Sequence, residues 1–186
     1  MEIIADLQVH SRYARAVSPQ MKIPVMAEWA AKKGIDLLGT GDFTHPLWLL
    51  HLKEYLEEAG DGVFRLKRGI RSFGSPSTSL GVAQDDIQKV SFLLTSEVSC
   101  VYSYNGQRKG VHVLVFLPGF AEVEKFNSFL LLRGAKLMSD GRPVVGISCR
   151  DIAAMAIEAS EKALVIPAHS FTPWFGLYGA NGGFDS

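Results

Sequence analysis

The sequence of 186 residues has only two cysteines, Cys100 and Cys149, with no paired-thiol spacing, which excludes a disulfide framework and a thiolate zinc site. Neither sign of charge is in excess. The 19 Lys and Arg balance 19 Asp and Glu, so nucleic-acid binding through bulk charge is not indicated, although a local basic groove is compatible with that balance. No apolar run approaches the ~18 residues needed to cross a bilayer. The opening Met-Glu-Ile-Ile-Ala-Asp is acidic where a secretory signal would be basic. Internal repeats and low-complexity segments are also lacking. What is present, 47% apolar and 20% charged residues, is globular composition at the length of one domain spanning 1–186, expected in the cytoplasm.

Short apolar runs alternate with helical periods. Strands are expected over 3–9, 35–40, 92–96, 143–147 and 163–167. Helices are expected over 24–33 (stopped by Gly34), from a Thr44 N-cap with Pro46 to about Ala59, over 121–133, and from a Ser148/Asp151 capping box to about Lys162. Asn105-Gly106 predicts a hairpin between 98–104 and 111–117. Residues 61–90, with Gly69, Gly74, Pro76 and Gly81, read as a surface excursion. The alternation predicts an α/β fold with parallel pairing, a barrel or an open sheet. Seventeen aromatic- and glycine-rich residues follow His169 without a closing helix, so the expectation is an incomplete barrel and the N-terminal portion of a longer protein.

In parallel α/β folds functional side chains gather beyond the carboxyl ends of strands. Four expected strands end at a potential metal ligand: His10, Asp42, Glu97 and His169. A fifth, His112, opens the hairpin's return strand. This mixture of imidazoles and carboxylates suits zinc, manganese or iron better than calcium. Asp6 is either a carboxylate orienting a ligand or an ordinary strand-end residue. His51 is expected on a solvated helix face with Glu54 and Glu58 and is excluded. Arg12 and Arg15, just after His10, could hold phosphates near such a site, with Arg12 the candidate contact, whereas the run Arg65, Lys67, Arg68 and Arg71 reads more simply as solvated charge. Phe171 and Trp174 could stack a base or sugar, while Phe175 and Tyr178 read as packing residues.

With Asp6-Leu7-Gln8-Val9-His10-Ser11, Gly41-Asp42, Glu97, His112 and Pro167-Ala168-His169 in place, the chain resembles the polymerase and histidinol phosphatase (PHP) superfamily of metal-dependent phosphoesterases. Through His10-Ser11-Arg12-Tyr13, Leu38-Gly39-Thr40-Gly41-Asp42 and Pro167-Ala168-His169-Ser170-Phe171-Thr172-Pro173-Trp174 it resembles the endonuclease Q branch, often catalogued as helicase-associated.

The resemblance implies a distorted seven-stranded (β/α) barrel with divalent ions (zinc, manganese or magnesium) on its rim. It implies that His10, Asp42, Glu97, His112 and His169 are metal ligands, with Glu97 bridging and Glu97 and Asp42 catalytic. It also implies that DNA is cut on the 5′ side of deaminated or abasic nucleotides. Three departures stand out: Gln8 replaces the first histidine of the opening motif, Phe43 follows Asp42 where a histidine is common, and the closing Asp-x-His motif is missing. Two other readings remain: a small-molecule phosphomonoesterase on this scaffold, or a catalytically impaired nucleic-acid-binding domain.

Overall fold

A computed structural model describes residues 2–70 and 83–184. In chain order these residues form β1 (Ala5–Asp6), α1 (Ile23–Lys33), β2 (Leu37–Gly39), α2 (Pro46–Tyr55), β3 (Leu56–Gly60), β4 (Val63–Leu66), α3 (Gln84–Lys89), β5 (Ser91–Tyr104), β6 (Gln107–Leu117), α4 (Phe120–Leu132), β7 (Val144–Val145), α5 (Cys149–Ala159) and β8 (Leu164–Pro167).

The long strand β5 organises the sheet. Its first residues pair in parallel with β2, which pairs in parallel with β1. On the other side they pair antiparallel with β4, which carries β3. From Leu94 onward β5 pairs antiparallel with β6, which carries β8, and β7 joins β5 in parallel. The outcome is a mixed α/β fold with a curled half-barrel sheet. Parallel pairing holds for β1, β2, β5 and β7, and the antiparallel β5–β6 pair is the expected hairpin. The expectation is corrected for β8, which pairs antiparallel with β6, and β3 and β4 are an antiparallel pair not expected from sequence.

Side-chain alternation separates the two faces of the β5–β6 ribbon. Phe92, Leu94, Val98 and Cys100, with Val111, Val113, Val115 and Leu117, enter the main core alongside Phe126 and Leu130 of α4 and Ile152 of α5. Thr95, Glu97, Ser99 and His112 point to the other face, where Leu114, Phe116 and Ala168 form a small second cluster. Each fully buried Phe or Leu of the core contributes about 2 kcal/mol by leaving water.

Several sequence expectations are corrected. The second helix stops at Tyr55, because residues 56–60 pair with β4 instead of continuing to Ala59. The excursion over 61–90 contains β4 and α3; Arg71, Gly74, Pro76 and Gly81 lie outside the described residues. His45, not Thr44, is the N-cap of α2; the Thr44 hydroxyl meets Ser96 Oγ at 3.0 Å instead. The Ser148 cap is present, its hydroxyl accepting from Asp151 N at 3.1 Å, and α5 ends at Ala159. Asn105 and Gly106 both have positive φ, 50° and 76°, as a type I′ hairpin turn requires. No helix among the described residues is long and apolar enough to cross a membrane.

His51 does not lie on a solvated face. It is half-buried, stacked on Trp48 with centroids 4.7 Å apart and against Tyr55 at 4.4 Å, and its Nε2 accepts from the free Ile23 N–H of α1 at 3.2 Å. Burial, with Arg12 and Lys22 nearby, lowers its pKa from the ordinary 6.5 to about 4. Below pH 6.5 the unfolded chain therefore takes up a proton that the folded chain refuses. Stability from this residue is complete above pH 6.5 and is lost as pH falls towards 4. Urea midpoints measured from pH 7.5 to 4 in chelator should fall more steeply for the parent than for His51→Gln, and parallel curves would refute the assignment.

Candidate metal centre

Three parallel strands in register bring one half of the site together. Gly39 pairs with Leu93, Thr40 N donates to Leu93 O at 2.9 Å, and Gly41 N donates to Thr95 Oγ1 at 2.8 Å. Gly41, at φ 64°, lies against the Val9 carbonyl, where any Cβ would collide with backbone. This close approach sets the 8–11 segment beside Asp42, whose own φ of 50° is one that Asp tolerates. Asp42 Oδ1 lies 2.9 Å from His10 Nδ1, and Ser11 N donates to Oδ2 at 2.6 Å.

The antiparallel strands bring the other half. His112 on β6 faces Ser99 on β5, two pairs along from Glu97 and therefore on the same face. The β6–β8 ladder continues with Ala168 N donating to His112 O at 2.9 Å, which sets His169 beside His112. His169 Nδ1 lies 2.9 Å from Thr172 Oγ1, whose own hydrogen goes to the His169 or Trp174 carbonyl. Thr172 therefore accepts from Nδ1–H, and His169 Nε2 is left with its lone pair facing Glu97. His112 stacks on Phe175 with centroids 4.3 Å apart, the packing role expected of that aromatic.

Glu97 joins the halves. It is only 2% exposed, and its two oxygens face different neighbours. Oε2 accepts from Gln8 Nε2 at 3.0 Å and lies 3.4 Å from His10 Nε2. Oε1 lies 2.5 Å from His112 Nδ1, 3.6 Å from His169 Nε2 and 3.5 Å from an Arg142 Nη. None of these contacts is aligned as a hydrogen bond to Oε1, which is buried without one. The His112 Nδ1 contact that has hydrogen-bond geometry is with His169 Nε2, at 3.3 Å. Burial by itself would raise the Glu97 pKa, but His10, His112 and Gln8 together hold the carboxyl well below the usual carboxylate range. His10 is raised to about 9, first by its hydrogen bond to Asp42 and then by Glu97.

Burying an ion costs several kcal/mol, and a carboxylate oxygen without an aligned donor leaves part of that cost uncompensated. Two imidazole nitrogens and this oxygen all lie within 4.8 Å of one another. That donor set fits a divalent transition ion, held by Glu97, His112 and His169.

His10, Asp42, Glu97, His112 and His169 thus form one contacting network. Glu97 is not at a strand end, however. Residues 92–104, read from sequence as two strands, are one, and Glu97 sits inside it. Both Asp42 oxygens are engaged with His10 and Ser11, so Asp42 reaches the centre through His10. Arg12 is exposed, its guanidinium 5.7 Å over the Tyr13 ring. Phe171 and Trp174 are 85% and 66% exposed, with Phe171 stacked on Tyr178. Asp6 is exposed on β1, an ordinary strand residue. Arg142 was not legible in the sequence, because it precedes β7 whereas the ligand pattern marks residues that follow strands. Nor did Thr172 stand out, although a threonine three residues after a histidine is a turn signal.

No family model matches the chain. It is similar to the uncharacterized protein MJ0043 of Methanocaldococcus jannaschii, 24% identical over 90% of this chain and 16% of that protein. It is also similar to the uncharacterized protein YqxK of Bacillus subtilis, 28% identical over 83% of this chain and 35% of that protein. Among solved structures it is similar to the lesion-specific endonuclease PfuEndoQ of Pyrococcus furiosus, with a TM-score of 0.72 and 32% identity over 95% of this chain and 36% of that one. A complex of endonuclease Q with a 27-mer duplex bearing an abasic lesion at the active site gives a TM-score of 0.73 and 32% identity, over 98% of this chain and 38% of that one. The chain therefore spans well under half the length of each relative.

A Cβ at Gly141 would run into the Asp42 carboxylate and come within 3.0 Å of Ala14 N, so the position has no room for one. Gly141→Ala should displace Asp42, lower metal content per chain and cost about 1–3 kcal/mol of stability. Gly146→Ala, with nothing within 4 Å, should do neither. Elemental analysis and urea unfolding check both, and equal metal content in the two variants would contradict the Asp42–His10 linkage.

Proposed function

We propose that residues 1–186 act as one metal-dependent hydrolase domain carrying the nuclease site of a DNA-repair endonuclease, which cuts 5′ of deaminated or abasic nucleotides. The observation that carries this reading is Glu97, a buried carboxylate presenting one oxygen to His112 and His169 and the other to His10. The likeness to endonuclease Q over nearly the whole chain supports it. In the finer form of the proposal the half-barrel belongs to a distorted seven-stranded PHP-type barrel of the helicase-associated branch, the ions are zinc, manganese or magnesium, and the protein works in the cytoplasm.

His112, His169 and Glu97 Oε1 would hold one ion, and His10 Nε2 with Glu97 Oε2 would hold a second. Divalent ions in such a site supply a water acidic enough to attack at neutral pH and neutralise charge on the phosphoryl group. The chain's own residues do the positioning. Asp42 holds the His10 Nδ1–H so that Nε2 faces inward, and Thr172 does the same for His169. Gln8 is a donor to Glu97 Oε2 rather than an imidazole ligand, so the His10 side has one nitrogen fewer than the His112 side. That asymmetry favours occupancy of the Glu97, His112 and His169 set first.

Phe171 and Trp174 stand exposed beside His169, where an unstacked nucleotide would need aromatic walls. The test is cleavage of a duplex containing one deoxyuridine or one abasic site, with manganese, zinc or magnesium and with chelator. A cut 5′ of the lesion that chelator abolishes is expected; intact duplex with every ion would end the proposal. Trp174→Ala should reduce discrimination between damaged and normal DNA more than it reduces metal content. Equal losses, or no change, would remove Trp174 from the pocket.

A further inference from the structure

One cation at the rim of the site lies outside the ligand set. An Arg142 Nη is 3.5 Å from Glu97 Oε1, the oxygen that His112 and His169 also face, and the side chain remains 38% exposed. At that distance it makes no charge-assisted hydrogen bond, whose N···O length is about 2.7–2.9 Å. No other carboxylate among the described residues lies within ion-pair distance of Arg142. The flexible part of the residue is nonetheless mounted on a fixed turn. Arg142 N donates to Asp140 Oδ1 at 3.0 Å, Gly141 N donates to Tyr13 O at 3.0 Å, and Thr44 Oγ1 donates to Gly141 O at 3.3 Å.

A guanidinium facing a carboxylate that also holds a divalent ion is a repulsive arrangement. It becomes attractive when an anion lies between the two cations, with one oxygen towards the ion and others towards the guanidinium fork. A tetrahedral phosphoryl group has that shape and charge, and arginine matches it with paired donors. Arg12 lacks this placement, since its guanidinium is spread over Tyr13 in solvent.

We propose that Arg142 is the phosphate-binding residue of this centre, its guanidinium holding a non-bridging oxygen of the phosphodiester that meets the Glu97, His112 and His169 ion. The assignment rests on the metal-dependent phosphoesterase reading and names the side chain that touches the substrate.

The experiment uses manganese-loaded protein, metal content fixed by elemental analysis, and inorganic phosphate as the probe in titration calorimetry. Arg142→Gln should keep its metal and bind phosphate about tenfold or more weakly, the scale of one charge-assisted contact. Arg142→Lys, which keeps the charge and loses the fork, should fall between the two. Arg133→Gln, a charge loss at the C-cap of α4, should bind phosphate as the parent does. Phosphate affinity unchanged in Arg142→Gln overturns the assignment, as does a loss that only follows metal content. If Arg142→Gln does not fold, parent-like affinity in Arg142→Lys overturns it equally. A parent that binds metal and phosphate but leaves lesion-bearing duplex intact ends the nuclease reading alone. A parent that binds metal but no phosphate ends the Arg142 assignment.

Discussion

The structure depends on one buried charge placed where two kinds of strand pairing meet. β5 pairs in parallel with β2 through its first residues and antiparallel with β6 through the rest, and Glu97 lies just after the change. The parallel side supplies His10 and Asp42 from segments that follow β1 and β2. The antiparallel side supplies His112 from within β6 and His169 from the residue pair after β8. A carboxylate elsewhere on β5 would face one set or the other. At this position each oxygen has its own set, and the several kcal/mol of desolvation is offset on one side by His10 and Gln8. On the other side His112 and Arg142 face Oε1 without an aligned hydrogen bond, so the offset there is partial.

The ring nitrogens that face inward are fixed by partners that face outward. Asp42 engages His10 Nδ1 and Thr172 engages His169 Nδ1, so in both rings Nε2 is the nitrogen turned towards Glu97. Asp42 is itself clamped by Ser11 N and by the backbone of Gly141, which explains why a residue expected to be a ligand is fully enclosed. Preorganisation of this kind costs stability elsewhere: glycines at 41 and 141 are required by close backbone approach and contribute no side-chain packing.

The site was legible in sequence because each of the five residues closes or borders an apolar run, and the resemblance named the same five. Its geometry was less so. Residues 92–104 read as two strands because a charged Glu97 interrupts the apolar run, although a residue buried on the inner face of a half-barrel is just where such an interruption is tolerated. β3 was invisible: Leu-Glu-Glu-Ala-Gly has helical propensity and becomes a strand only by pairing with β4. His51 shared a polar spacing with Glu54, yet aromatic neighbours Trp48 and Tyr55 and a free helix N–H enclosed it. These are tertiary decisions, and local periodicity carries no record of them.

Equal numbers of acidic and basic residues leave little non-specific attraction for a polyanion, so discrimination on the proposed reading falls to local features. The turn after His169 concentrates them. Thr172 accepts from the His169 ring and lies 2.9 Å from the Trp174 carbonyl, so the segment carrying the two exposed aromatics also fixes a residue of the candidate metal centre. The link runs through the Trp174 backbone and not its indole. The indole can therefore be removed while the Thr172–His169 contact stays, so the proposed nucleotide recognition and ion binding are separable at this residue although the turn joins them. Movement of the turn's backbone would disturb both. That backbone is tied down by Tyr178 N donating to Ser170 O and Asn181 N donating to Pro173 O, each at 2.8 Å, with Gly176 and Gly179 packed where a Cβ would meet the turn's carbonyls.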